Sequence, residues 1–537
     1  MFQGREPFRQ GRPFACEDAV GTIRFRARQT TVVHGPSWPA AGSPPAVEHY
    51  GQNLNAILFR SVIHIASLCG LYLSSAMFIP AMADLYVGND DWQVFALSGS
   101  LCGGFFALAA LATRGSPPVL TRRFGFLLVN VLWTVFTVVG AIPFYLSSYD
   151  PTLAQAVFES VSGITTTGST IFVGLDDMPP GILLWRSLIV WLGGIGILGL
   201  GLFILPNLRV GGLSFFKLES SDTTEKPFSR FASFTRAFML IYLGITLACT
   251  LAYAWAGMSL FDAVNHAFTT IATGGFSTYD ASFGHFESIP VLWVGTIFMT
   301  ISSLPFSVMI LLAVRKRLNV LRDPQILVFL GYLALFSIAV GVYHHVANGV
   351  DIGLALTHSF FNISSILSTT GFASEDYTLW GPFTVTMAFI ATFMGGCTGS
   401  TAGGIKAYRF VVLYGVVRAG MQRLVYPNSV ATVRYGNQTV EPDVQRSIFL
   451  FLALYMLLWA LGSIALGALG YDLMTAMSGS ITSLSNVGPG IGSIIGPAGN
   501  FSTISDPALY VMSALMLLGR LEVLTVLVLL MPTFWRD

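Results

Sequence analysis

The sequence predicts an all-α polytopic membrane protein with a fourfold internal repeat. Three observations predict it: a deficit of charge, apolar segments of bilayer length in regular alternation, and one short Gly motif that recurs four times. The 537 residues are 53% hydrophobic and only 10% Asp, Glu, Lys and Arg. Soluble globular proteins carry roughly 25% charged residues. That deficit excludes most soluble enzymes and a disordered scaffold. The net charge of +1 also argues against nucleic acid or another polyanion as a partner. The five cysteines, Cys16, Cys69, Cys102, Cys249 and Cys397, lie far apart without metal-ligand spacing, and the eight histidines form no zinc pattern. His344-His345 reads as an exposed loop pair.

Residues 1–53 differ in kind. They hold Arg5, Arg9, Arg12, Arg24, Arg26 and Arg28, several prolines and no long apolar run. A cleaved signal peptide needs an apolar stretch behind its charges, and none is present. The segment reads as a poorly ordered cytoplasmic extension; an over-long translation start would look the same. From residue 54 onward, apolar candidate spans cover 56–82, 92–113, 124–147, 181–206, 234–257, 289–314, 325–346, 380–417, 446–469 and 508–531. Most can cross about 30 Å of hydrocarbon at roughly 1.5 Å per residue. Ten crossings leave both termini on one side.

The charges identify that side. One set of loops carries Arg114, Arg122, Arg123, Arg209, Lys217, Lys226, Arg230 and Arg236, then Arg315, Lys316, Arg317, Arg322, Arg418, Arg423, Arg434, Arg446 and Arg536. The opposite set carries Asp84, Asp90, Asp91, Asp150, Asp176, Asp177, Asp280, Glu287, Asp351, Glu375, Asp376, Asp472 and Asp506, with Arg186 just inside a span. Basic loops face the cytoplasm, so both termini are expected there.

Four outer connections each hold a semi-apolar stretch too short to span, followed by a small polar Gly motif. They read SGITTTGST (162–170), TTIATGGFST (269–278), SILSTTGFAS (365–374) and SITSLSNVGPGIG (480–492). The motif glycines are Gly168, Gly274, Gly371 and Gly488, at spacings of 106, 97 and 117. One unit of about a hundred residues therefore occurs four times. A segment of some 12 residues forms about 18 Å of helix and reaches roughly halfway into a bilayer. The chain must then return in extended form, which is tolerated at membrane depth only against protein or a watery cavity. Four returns around one axis would present rings of carbonyls to a bare monovalent cation. Gly permits the required backbone, and short helices would aim their negative C-terminal ends at the site. The expected filter residues are Thr166, Thr167 and Gly168, Thr273 and Gly274, Thr370 and Gly371, and Asn486, Val487 and Gly488. Thr hydroxyls at 165–167, 269–270 and 369–370 could add oxygens or brace the loops. Small residues that merely pack helices closely are the simpler explanation for one such motif, but not for four at equivalent positions.

The 38 residues of 380–417 are too many for one ordinary span. Near their middle lies GGCTGSTAGGIK (395–406), a poor helix former. It should split the span into two shorter helices joined by an irregular intramembrane stretch. Gly395, Gly396, Cys397, Thr398, Gly399, Ser400, Thr401, Ala402, Gly403 and Gly404 are the candidate gate loop, closed by Lys406. Arg520 and Glu522 lie inside the last span. Two apart on a helix, they point in different directions; Arg520 is expected to face the pore or the 395–404 loop as an electrostatic barrier, with a structural ion pair between helices as the alternative. Glu159 and Arg186 are expected to pair structurally. GIGILG (194–199) matches a dinucleotide fingerprint but sits inside an apolar span, so no cofactor site is expected. Ile405 occupies the Lys position that a phosphate-binding loop would need after Gly399 and Gly404.

Taken together, TTTGST with IFVGLDDMP, NHAFTTIATGGFSTYDASFG, STTGFAS, GGCTGSTAGGIK, NVGPGIG and GRLEVLTVLVLLMPTFWR resemble the TrkH/KtrB/HKT superfamily of cation transporters, and within it the TrkH type. The resemblance runs in order from about residue 55 to the C-terminus. It implies two N-terminal transmembrane helices plus four membrane–pore-loop–membrane repeats around one central pore. The corresponding divisions are 54–115 for the helix pair, then 120–210, 230–318, 322–425 and 443–537 for the repeats. It further implies potassium uptake across a bacterial inner membrane, with K+ bound at the filter. In plant relatives a Ser at the first filter position accompanies sodium transport, so Gly168 resembles the potassium-preferring type. The family's gating loop falls on 395–404 and its pore arginine on Arg520. A homodimer is implied, as is a cytoplasmic TrkA-type ring whose subunits bind NAD or ATP/ADP. No cofactor is expected on this chain. The basic loops 209–236 and 418–446 are expected to form part of the docking face. A coupled transporter for an organic solute, or a membrane-embedded enzyme, would need midplane broken helices that rock or a catalytic constellation; the fourfold motif argues against the first, and the sequence shows no such constellation.

Overall fold

The long apolar segments build helices, interrupted where Gly, Ser, Thr and Pro cluster. The computed structural model describes residues 47–115, 121–199, 227–315 and 318–536. Within them, seven helical stretches are individually long and apolar enough to cross a membrane, and two bent helix pairs complete further spans. This is a multi-pass helical membrane protein. The expected extension up to residue 46 and the basic residues Arg209, Lys217, Lys226, Lys316 and Arg317 lie outside the described residues.

The first span is α1 (Val47–Ala76) continued by α2 (Phe78–Val87), and α3 (Trp92–Ala112) returns beside it. Four units of one design follow. The first is α4 (Arg122–Tyr145), the short α5 (Leu153–Ile164) and α6 (Pro180–Gly199). The second is α7 (Pro227–Ala256), α8 (Leu260–Ala272) and α9 (Ile289–Ser302), continued by α10 (Phe306–Arg315). The third is α11 (Pro324–Asn348), α12 (Ile352–Leu367) and α13 (Pro382–Phe393), followed after a break by α14 (Ala407–Val425). A hairpin of Arg434–Tyr435 with Gln438–Thr439 leads to the fourth: α15 (Pro442–Ala468), α16 (Leu473–Ser485) and α17 (Asp506–Arg520).

Local sequence sets the start of every short helix. Thr152, Ser259, Asp351 and Asp472 each accept hydrogen bonds from first-turn N–H groups, which satisfies donors that a helix start leaves unpaired. Each short helix packs against both spans of its own unit. It also packs against the second span of the preceding unit: α8 on α6, α12 on α9, α16 on α13, and α5 back on α17. The last contact closes the series into a ring, with the short helices innermost and almost wholly buried.

Three expectations need correction. The span 289–314 is not continuous: it turns by 95° between Ser302 and Phe306. Pro305 lacks an N–H to continue the helix, while Ser303 O and Phe306 N bond instead to Cys397 N and Gly399 O. The last span, 508–531, also bends, by 101° after Arg520, and Glu522 there takes a left-handed φ of 57°. His344 and His345 are not in a loop but in the last turns of α11, where His344 is buried and stacked on Trp380 with centroids 4.2 Å apart.

Candidate functional site

All four short helices end in the same backbone sequence. One residue takes left-handed φ: Thr166 (53°), Thr273 (55°), Thr369 (56°) and Asn486 (57°). The next residue sends its N–H back to a carbonyl in the last helical turn, as Thr167 to Ser162, Gly274 to Thr269, Thr370 to Ser365 and Val487 to Thr482. The third is a glycine with positive φ: Gly168, Gly275, Gly371 and Gly488. A left-handed residue and a backward N–H bond commonly cap a helix C-terminus; here the same device turns each chain out of its helix.

The glycines then form a closed ring. A Cβ on Gly168 would lie 2.5 Å from the Gly274 carbonyl oxygen. One on Gly275 would strike Thr370 O, one on Gly371 would strike Val487 O, and one on Gly488 would sit 2.8 Å from Thr167 O. Each unit's glycine thus abuts the carbonyl of the next unit's middle residue, and the fourth returns to the first. Any side chain would enter the ring and also meet a positive φ. Among the described residues, no hydrogen-bond donor reaches the carbonyl oxygens of Thr166, Thr167, Thr273, Thr369, Thr370, Asn486 or Val487. Buried carbonyls are nearly always paired, so this group of oxygens at the meeting point of four helix C-termini favours a cation. The Thr and Asn side chains brace rather than fill the ring. Thr165 and Thr167 hydroxyls lie 2.7 Å apart, and Asn486 Nδ2 donates to Thr167 Oγ1 at 3.0 Å.

On one side of the ring is a cavity of about 280 Å³ lined by Gly168, Gly275, Gly371, Pro489 and Asp280, among others. On the other side the residues 394–406 form the irregular stretch between α13 and α14. Three short-helix ends tie it in place: Thr401 Oγ1 donates to Ile271 O (3.1 Å), Gly403 N to Thr369 Oγ1 (2.6 Å) and Gly404 N to Ser485 O (2.9 Å). Behind it, Thr398 N donates to Gln325 Oε1 at 3.0 Å and Tyr332 hydroxyl to Gly395 O at 2.5 Å. Its glycines let backbones meet, since a Cβ on Gly403 would strike Ser485 O and one on Gly395 would strike Gly403 O. Lys406 Nζ donates to Ala402 O within the same loop.

A smaller cavity of about 50 Å³ adjoins this loop, lined by Ser400, Gly403, Lys406, Arg409, Arg520 and Glu522 with their neighbours. Arg520 is 3% exposed, and among the described residues none of its guanidinium nitrogens has a hydrogen-bond partner. Glu522 instead pairs with Arg409. Glu159 and Arg186 pair as expected, at 2.8 Å.

Residues 93–536 match the TrkH family, described as a cation transport protein. The chain belongs to the TrkH family. This TrkH-family chain is 40% identical over 477 residues to the Trk system potassium uptake protein TrkI of Halomonas elongata, covering 89% of the chain and 97% of that protein. It is 36% identical over 488 residues to the Trk system potassium uptake protein TrkH of Escherichia coli, covering 89% of the chain and all of the relative. Its fold is similar to the crystal structure of the potassium transporter TrkH from Vibrio parahaemolyticus, with TM-score 0.83 at 33% identity, over 89% of this chain and 100% of that one.

Within this TrkH-family fold, the sequence-derived residues come together except in one detail. Gly275, not Gly274, is the second unit's ring glycine; Gly274 takes the middle position held elsewhere by Thr167, Thr370 and Val487. The Gly-Gly doublet carried that signal, and counting from the helix end rather than from the Thr-Gly pair would have found it. Arg409, 113 residues from Glu522, gave no sequence signal at all.

Proposed function

We propose that this chain is the potassium-conducting subunit of a Trk-type uptake system. The unpaired carbonyls of Thr166, Thr167, Thr273, Thr369, Thr370, Asn486 and Val487, gathered where Gly168, Gly275, Gly371 and Gly488 close the ring, carry this reading. Its oxygens would replace the hydration shell of K+, with Thr166, Thr167, Thr273, Gly274, Thr370, Asn486 and Val487 completing the filter. The four units, 120–210, 230–318, 322–425 and 443–537, would surround one pore. The two cavities lie in series with the ring and the 395–404 loop, which suits a single-file path with an outer vestibule and an intramembrane gate. Arg520 beside the loop would oppose cations electrostatically. Flux would be inward and channel-like, driven by membrane potential: one charge crossing 100 mV gains about 2.3 kcal/mol, roughly 50-fold accumulation.

The loop distribution of Lys and Arg supports cytoplasmic termini in a bacterial inner membrane. The named relatives are Trk system proteins, which supports partnering with other Trk subunits; the proposed assembly is a homodimer controlled by a cytoplasmic TrkA-type ring. NAD or ATP/ADP would bind that partner, and the basic loop after α14 would contribute to docking. The test is rubidium or potassium uptake in cells lacking their own potassium importers, with the regulatory partner present. The chain should restore uptake with potassium preferred over sodium. No uptake from correctly inserted protein would refute the reading.

A further inference from the structure

Each short helix buries one polar side chain that the conduction path itself does not use. Glu159, His266, Asn362 and Ser478 are all no more than 1% exposed. The first three stand seven residues before the left-handed residue of their unit; in the fourth unit Gly479 holds that place and Ser478 beside it takes over the contact. Each grips the strand that leaves the ring, two or three residues past the glycine. Ile171 N donates to Glu159 Oε2 at 2.9 Å. His266 Nε2 and Ser277 Oγ are 2.9 Å apart, with His266 Nδ1 held 2.9 Å from Asp262 O. Ser374 N donates to Asn362 Oδ1 at 3.1 Å, and Asn362 Nδ2 to Ser374 Oγ at 3.0 Å. Ser478 Oγ accepts from Ile491 N and donates to Ile491 O, both at 3.0 Å.

Arg186 joins two of these braces. Its Nε donates to Glu159 Oε1 at 2.8 Å, its Nη1 donates to Ser277 O at 2.9 Å, and its guanidinium lies 4.2 Å from the Phe276 ring centroid. Ser277 is also the residue that His266 holds. The strand leaving Gly168 and the strand leaving Gly275 are therefore bound to one buried ion pair.

We infer that these four side chains, with Arg186, are positioning residues that set ion preference. They touch no ring carbonyl. They fix where each strand departs, and so the spacing of the carbonyls that face an ion. Buried hydrogen bonds at each of the four strands hold them to one arrangement, while discrimination between Na+ and K+ depends on the geometry or field of the carbonyl cage. This role rests on the carbonyl ring acting as the filter.

The test compares potassium and sodium as competitors of rubidium uptake by the full chain with its regulatory partner in cells, alongside protein level. Ser478→Ala and Asn362→Ala remove a brace without changing charge. Each should lower the preference for potassium over sodium by about tenfold, the effect of about one hydrogen bond's net worth, while total cation uptake stays within about threefold. Ser478→Thr keeps the hydroxyl and should keep the preference. Ser478→Ala, the smaller deletion, is decisive: wild-type preference from protein at wild-type level overturns the inference. Gly371→Ser is run in parallel. If it alone loses preference, the braces are packing only and the filter reading stands; if it too keeps preference, the filter reading itself fails.

Discussion

Arg409, which is buried, and Glu522, which is partly buried, form an ion pair that fastens the first turn of α14 to the bend in the last span. The guanidinium also lies 3.6 Å from the centroid of Phe451. Both partners border the cavity beside the glycine-rich loop. Removing one partner strands the other charge in a dry site, which typically costs about 3–5 kcal/mol, whereas replacing both with apolar groups is often neutral. Glu522→Gln and Arg409→Met should each lower the thermal unfolding midpoint of the detergent-solubilised protein. The double variant Arg409→Met/Glu522→Leu should recover most of the loss. Equal midpoints for a single and the double variant would contradict the pairing energetics.

Among the described residues Arg520 has no such partner. Its three guanidinium nitrogens are buried without a hydrogen bond among the described residues, on the wall shared with Ser400 and Gly403. On the proposed path, a cation at that wall would meet a fixed positive charge in low-dielectric surroundings. Arg520→Ala should therefore raise rubidium flux at matched protein level, and Arg520→Lys should leave it close to wild type. A lower flux in Arg520→Ala would argue that the residue holds the loop rather than repels the ion.

The framework was legible in the sequence because it depends on local signals. Spans announce themselves by apolar length, and the break in 380–417 by a run of Gly, Ser and Thr. The bend at 303–305 carried a local signal in Pro305, but its direction depends on the distant Cys397 and Gly399, and the bend after Arg520 depends on the distant Arg409. His344 failed for a similar reason. A His-His pair reads as exposed until Trp380, from a separate segment, is seen stacked on it. The braces were half legible. Glu159 and Arg186 stood out as charges in apolar runs, but Asn362 and Ser478 are ordinary polar residues until their partners are known.

Asp472 links helix capping to pH. It caps α16 by accepting from Met474 N at 3.1 Å and Thr475 N at 3.2 Å. Hydrogen bonding from the side chain and then the backbone of Thr475 holds its carboxyl below the usual Asp range. A depressed folded pKa means the carboxylate's contribution is fully present above the unfolded pKa of about 3.9. It is lost as pH falls through the still lower folded value. Asp472→Ala should cost about 1 kcal/mol at neutral pH. In midpoint measurements against pH, the gap between wild type and variant should stay constant from pH 7 to about 5, then narrow on further acidification. A gap that widens with acid would reverse the sign and refute the capping role.

Gly274 and Gly275 give a sharper test of the ring than any single glycine. Gly275 has φ of 61°, and a Cβ there would strike Thr370 O, a backbone atom of the next unit. That oxygen cannot yield without moving the third unit's chain. Gly274 lacks the positive φ, and the nearest atom to its Cβ would be a methyl of Val190, with Thr166 Cα at 3.0 Å. A Val side chain can be shortened. Gly275→Ala should therefore abolish potassium preference or uptake, and no change at Val190 should restore it. Gly274→Ala should be milder, and Val190→Ala in the same chain should return uptake toward wild type. The reverse order of severity, with Gly275→Ala tolerated and Gly274→Ala beyond rescue, would return the ring position to Gly274 and break the shared three-residue backbone pattern of the four units.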